Sequence, residues 1–405
     1  MHPFVLRASA MLLMVALLTA CGTVKNWFGK SDKAPEPDEP AALVKLDNPI
    51  AIERIWGVSL GDGEGDLWNR QAPVLAEGRI YASNIDGRVM AFDAMTGKPL
   101  WSAKTKLPLS GGPGVGAGRL VMGSLEGDVI ALDADSGAEI WRTKVSSEVI
   151  TAPVVAQGYT VVRGNDGRVF GINLGDGKRV WVFDRGLPPL TTRGNAPPAL
   201  ARDAVVIGYA DGMLVTLRIA DGGTIWERAV ATPDGRNELE RMADIDGDIQ
   251  VGLTDVFAHS IKGQVMAVDL ATGRPLWNRD ITGYAGMALM GDKVVTADAN
   301  GVLLALDRAT GAGLWRQDAL LNRMVSTPVA AGPYVVVGDL DGYLHWFDAL
   351  TGAPVGRVHV GGGMRIPFLG KKPGPIRATP QVSPDGVVYA VNTQGTLGAY
   401  RVVGR

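Results

Sequence analysis

One cysteine, Cys21, and four histidines in 405 residues leave this chain no disulfide of its own and little material for a metal centre. Neither sign of charge prevails: 40 Lys and Arg stand against 42 Asp and Glu, a net charge of -2, so composition recommends no nucleic-acid partner. No stretch of about eighteen apolar residues follows the first twenty positions, which excludes a spanning helix by sequence. Helical periodicity over ten or more residues is missing as well, which excludes a helical bundle or a helical solenoid. What is abundant is glycine, 54 residues, with 24 prolines, 46% hydrophobic and 20% charged residues. That balance describes an ordered chain crowded with turns.

Residues 1–20 read as a signal peptide: Arg7 precedes an uncharged run from Ala8 to Ala20 that is too short to span a bilayer. Leu18-Thr19-Ala20-Cys21-Gly22 resembles the bacterial lipobox, in which the cysteine is acylated and becomes the first mature residue. Acyl chains on Cys21 would bury about 0.8 kcal/mol per methylene in a membrane. By the sorting rule that this motif implies, Gly22 rather than Asp after the cysteine favours the outer membrane, periplasmic face. Residues 21–45, rich in Lys, Pro and acids, read as a tether between lipid and fold.

Repeats decide the architecture. Asp86 to Trp101, Glu126 to Trp141 and Asn300 to Trp315 are near copies; Asp166 to Trp181, Asp211 to Trp226 and Lys262 to Trp277 are degenerate ones. A seventh begins at Asp341-Gly342 and has Gly356 where Trp is due, and an eighth begins at Gln394-Gly395 and stops after Tyr400. Each unit reads as four short strands. Asp-Gly, Glu-Gly or Asn-Gly sits where a two-residue hairpin of positive φ is expected between strands two and three. Asp-x-x-Thr-Gly supplies the next turn, with local side-chain hydrogen bonds. The indoles of Trp56, Trp101, Trp141, Trp181, Trp226, Trp277 and Trp315 are expected to fill the seams between neighbouring sheets. The prediction is an all-β fold: one eight-bladed β-propeller of four-stranded antiparallel blades over residues 46–405. The last copy lacks a fourth strand and Trp56 lacks a third strand before it, so residues 51 to 58 are expected to close the last blade beside Tyr400.

Three links depart from the unit: 184–198, with Leu187, Leu190, Arg185 and Arg193; 232–248, acidic, with Glu238, Glu240, Asp244, Asp246 and Asp248; and 361–379, basic around Arg365, Lys371 and Lys372. Loops held on a rigid ring are the usual place for binding.

The Ala-x-Asp-x-x-Thr-Gly-x-x-x-Trp unit resembles the tryptophan-docking repeat of quinoprotein alcohol dehydrogenases. A lipobox followed by one such ring, over residues 18 to 405, resembles the BamB family of lipoproteins of the outer-membrane β-barrel assembly machine. That resemblance implies a scaffold without catalytic residues or cofactor, docking on the periplasmic POTRA domains of BamA, with unfolded outer-membrane proteins as further clients. It places the docking surface at Leu190, Thr192 and Arg193 in one link and Asp244 and Asp246 in the next, with Thr192 where the family pattern has Leu. The alternatives are a propeller that binds a sugar, peptidoglycan or another protein, pairing of client strands with blade edges, and a quinoprotein enzyme. The enzymes of that last class stack their quinone on a disulfide of adjacent cysteines and use Ca²⁺ and an Asp. Here no Cys follows Cys21, and His259, His345 and His359 form no short metal motif.

Overall fold

Eight four-stranded antiparallel sheets follow one another along the chain of this computed structural model, which describes residues 38–64, 70–192, 196–361 and 374–404. Seven blades are consecutive, at residues 74–104, 109–144, 154–183, 199–229, 250–280, 287–317 and 329–359; the eighth joins 381–403 to Ala51–Ser59. The N-terminal strand is the outermost of that last sheet, with Trp56 opposite Ala399 and Arg54 opposite Tyr400. The expected closure by residues 51 to 58 is what the register shows.

The core is divided among the seams. Eight separate clusters of buried side chains each draw on two neighbouring blades, as where Trp56, Ile80 and Phe92 meet Tyr389 and Leu397. Each seam indole N–H donates to the carbonyl just after the first turn residue of the next blade, which is Asp in five blades, Asn173 in the third and Arg218 in the fourth: Trp56 to Ala94 (2.9 Å), Trp101 to Ala134 (3.0 Å), Trp141 to Leu174 (2.8 Å), Trp181 to Ile219 (2.8 Å), Trp226 to Leu270 (2.8 Å), Trp277 to Arg308 (2.8 Å) and Trp315 to Ala349 (3.1 Å). The ring itself lies on the Gly of the same turn. A Cβ on Gly97 would come within 2.5 Å of Trp56, and one on Gly177 within 2.7 Å of Trp141. The turn therefore needs its glycine twice, for positive φ and for room under the indole. Asp93 Oδ1 accepts from the N–H (2.8 Å) and hydroxyl (2.6 Å) of Thr96, and the hydroxyl bond foremost holds this carboxyl below its ordinary value.

Turn chemistry differs from expectation at one point. The two-residue loops of paired positive φ join strands one and two: Glu77-Gly78 (φ 50° and 73°), Ala117-Gly118 (47° and 69°) and Gln157-Gly158 (53° and 80°). Between strands two and three the loop has three residues. Gly87 N–H donates to Asn84 O (3.1 Å), Asn84 N–H to Arg88 O (3.0 Å), and only Gly87 has positive φ, 79°. The organising residue is the one three before the glycine, whose side chain caps the turn: Asn84 Oδ1 accepts from Arg88 N–H (3.0 Å), and Asp298 Oδ1 accepts from Asn300 and Val302 N–H (2.9 Å each). A polar side chain there satisfies loop amides that a two-residue turn would not expose.

All eight outer strands carry a bulge at the residue before the Trp position, as where Ala91 pairs Trp101, Phe92 pairs Pro99, and Leu100 is left over. A bulge bends and twists an edge, which protects it against pairing with another chain.

Candidate docking rim

In an antiparallel blade, successive connections emerge at opposite ends, so every link between blades lies on the face that carries the three-residue turns. The 230–249 link folds back over that face. Val230 N–H donates to Gly212 O (2.9 Å), Ile245 N–H to Tyr209 O (3.2 Å) and Ile261 N–H to Asp244 O (3.0 Å). The anchor is Ile245, 1% exposed, inside the cluster between blades 4 and 5. It packs on Gly208, where a Cβ would stand 2.5 Å from its Cγ2. Burying that one isoleucine draws the acids on either side of it into the protein.

Asp244 and Asp246, 3% and 6% exposed, meet the neighbouring link at Thr192, 52 residues earlier. Thr192 N–H donates to Asp244 Oδ1 (2.9 Å), while its hydroxyl oxygen lies 2.9 Å from Asp244 Oδ1 and 2.5 Å from Asp246 Oδ2. A hydroxyl has one proton and two contacts to fill here. It can donate to only one of Asp244 and Asp246 at a time, so a protonated Asp246 would complete the set. Burial pushes that carboxyl up to about 7, the nearby Asp244 adds to the rise, and Thr192, Arg70 and Arg163 oppose it.

Leu190 and Leu187 stand beside this latch, 42% and 41% exposed. Arg193 lies outside the described residues, as do Cys21, Arg365, Lys371 and Lys372. Beneath the two links, Tyr209 is held between guanidinium groups, Arg163 at 5.2 Å and Arg185 at 5.6 Å from its ring. Arg185 is fixed in turn by Asp211 (2.8 Å) and Glu227 (3.1 Å), and buried Arg163 donates to Ala196 O (3.0 Å). Sequence reasoning missed Arg163, Tyr209 and Arg70. The one available signal was Tyr209 itself, an aromatic at the turn position where other blades carry Asn84 or Asp298.

Thr192, Asp244 and Asp246 are thus brought together, with Leu190 presented next to them. The seam tryptophans, also expected from sequence, lie between the blades. Buried His345 donates from Nε2 to Asp339 Oδ2 (3.0 Å), where Arg323 also pairs (2.8 Å) while its other terminal nitrogen donates to Ala41 O (3.0 Å). Contacts with the ring reach back to Ala41, inside the stretch expected to be tether. Among the described residues no group of three or more His, Cys, Asp or Glu side chains stands where it could hold a metal ion.

Residues 85–317 match the family described as outer membrane protein assembly factor BamB. The outer membrane protein assembly factor BamB of Xanthomonas campestris pv. campestris is 40% identical over 407 residues, covering 98% of this chain and 97% of that one. Among solved structures, BamB from Moraxella catarrhalis has a TM-score of 0.77 at 26% identity, over 87% of this chain and 100% of that one. A quinohemoprotein alcohol dehydrogenase from Comamonas testosteroni has a TM-score of 0.69 over 87% of this chain and 77% of that one, at 14% identity. That last likeness is one of fold alone.

Proposed function

Because the chain belongs to the BamB family of outer membrane protein assembly factors, we propose that it serves the Bam complex as a non-catalytic scaffold. Its partner in this reading is the POTRA region of BamA, and acylated Cys21 holds it at the periplasmic face of the outer membrane. Unfolded outer-membrane proteins are secondary clients.

The observation that carries the docking reading is the latch. Thr192 ties the Leu190 segment to Asp244 and Asp246 across 52 and 54 residues of sequence, which supports reading the two links as one surface. The two acids spend hydrogen bonds on Thr192, and their task is to position the segment. Leu190, nearly half exposed, supplies apolar contact, and Arg193, three residues further along the sequence, supplies a charge. The hydroxyl explains why Thr at 192 serves where the family pattern has Leu: here the position holds a link in place.

A quinoprotein reading is disfavoured by chemistry, since a chain whose only cysteine is Cys21 has no pair of adjacent cysteines for a quinone to stack on. Edge pairing with client strands is disfavoured by the bulge that every outer strand carries.

A pull-down from detergent-solubilised membranes tests the docking reading. R193A and the double variant D244A/D246A are each expected to reduce co-purified BamA by about tenfold or more, the scale of a lost charged contact. Recovery of BamA at wild-type levels with both variants removes this rim as the docking site.

A further inference from the structure

On the ring axis, bounded by the entries to blades 1, 2, 3, 4, 5 and 8, lies a cavity of about 230 Å³. Its walls are unlike. Pro73, Val74, Pro113, Ile150 and Pro197 present carbon on one side, and Arg70, Asp246, Asp248, Thr379 and Gln381 present polar groups on the other. Thr151 also lines it; it is more than nine-tenths buried, and its hydroxyl has no hydrogen-bond partner among the described residues.

The charges in this cavity do not balance. Arg70 turns its donors to backbone, giving Nη1 to Asp246 O (3.4 Å) and Nη2 to Tyr284 O (3.2 Å), and lies 5.7 Å from the Tyr284 ring. It makes no ion pair with either carboxylate. Asp248 Oδ2 accepts from the Thr379 hydroxyl (2.5 Å), and its Oδ1 has no hydrogen bond among the described residues. Two carboxyl groups thus face one guanidinium, and the burial that raises the Asp246 carboxyl lets a proton there reduce the difference. A cation in the cavity would take that proton's place. A site with an apolar wall for a stem, two carboxyl groups for a head and an unused buried hydroxyl in its lining fits an alkyl chain ending in positive charge.

We infer that the axial cavity is a binding site for an alkylammonium or alkylguanidinium group, filled by a lysine or arginine side chain of the polypeptide docked on the rim. Its stem lies along Pro113, Ile150 and Pro197, and its head donates to Asp246, Asp248 and the Thr151 hydroxyl. Binding releases one proton, from Asp246 to solvent. The other charged or titratable groups near Asp246 are Asp244 and Asp248 on its own link, Arg70, Arg163 of blade 3 and Tyr284 of the next link. The identity of the docked polypeptide rests on the docking reading above; the chemistry of the cavity does not.

The test is calorimetric titration of the full-length acylated protein in detergent with Nα-acetyl-lysine methylamide, with the norleucine analogue as neutral control. The lysine probe is expected to bind saturably and roughly tenfold or more tighter than norleucine. Its affinity is expected to rise by up to about tenfold per pH unit from pH 5 to 7, with proton release. D248N and T151V are each expected to weaken it several-fold while unfolding like wild type. Equal binding of both probes, or lysine binding that neither variant weakens, overturns the proposal. The pull-down separates the two readings: BamA retained without lysine binding rejects the cavity and leaves the rim, whereas lysine binding without BamA rejects the rim.

Discussion

Ile50 occupies the space over Gly356 that an indole fills over the other seams. A Cβ on Gly356 would stand 2.7 Å from Ile50 Cγ1 and 2.8 Å from Ile52 Cδ1, and Ile50 N–H donates to Val355 O (2.9 Å). The seventh repeat lacks its Trp for a reason. The eighth blade takes its outer strand from the N-terminus and has no Thr-Gly turn to receive an indole, so the incoming chain packs there instead. Gly356→Trp is expected to displace residues 50–52 and to cost about 1–3 kcal/mol, as overpacking does. Thermal unfolding of the variant checks this; an unchanged midpoint would mean that the seam has room.

Closure through mixed chain ends gives a second expectation. Thr396–Val403 pairs with both Val388–Val391 and Ala51–Ser59, so deleting residues 396–405 leaves two edges unpaired and Trp56 without its strand. The truncated protein is expected to lose cooperative unfolding and to be cut rapidly by protease. A truncated ring as resistant as wild type contradicts the closure.

The seams also predict a graded series. Trp141→Phe removes the bond to Leu174 O and keeps most of the packing, for a loss of about 1 kcal/mol. Trp141→Ala empties the seam, for about 3–5 kcal/mol. Gly177→Ala places a methyl against the same ring at a φ of 72° and is expected to fall between them. Urea unfolding of the three variants gives the order, and equal losses for Phe and Ala would mean that the indole body contributes little.

Asp246 carries a pH signature. With its carboxyl raised by burial to about 7 from 3.8, the folded ring holds a proton in that interval that the unfolded chain has released. Stability therefore falls as pH rises through the interval, by at most about 1.4 kcal/mol per unit from this group, and levels off above it. D246N retains a donor toward Thr192 and has no proton to lose. The variant is expected to unfold at the same urea concentration as wild type near pH 3.5 and at a progressively higher one from pH 5 to pH 8. Parallel pH dependences in the two proteins would show that Asp246 is ionised in the ring.

Membrane attachment is expected to depend on Cys21 alone. Cys21→Ser should abolish palmitate labelling and release the protein into the soluble fraction after a carbonate wash. A variant that stays with the washed membrane and keeps its label would move the anchor elsewhere.

What the sequence by itself determined is whatever repeats. Spacing of turn glycines and tryptophans set eight blades, and the truncated eighth copy with the orphan Trp56 set the closure, because a four-stranded unit must pair its edges and bury its indole wherever it occurs. Local turn chemistry was legible only in part: the Asp and Thr of the second turn were visible, but the loop length between strands two and three depends on a cap such as Asn84, three residues before the glycine. Tertiary structure alone decided what the departures do. Ile50 over Gly356, Thr192 against Asp244 and Asp246, and Arg70 against Tyr284 are meetings between residues that no period relates. Their chemistry arises from shared burial, which raises the Asp246 carboxyl and leaves the Thr151 hydroxyl unused, and burial of that kind exists only once the ring has closed.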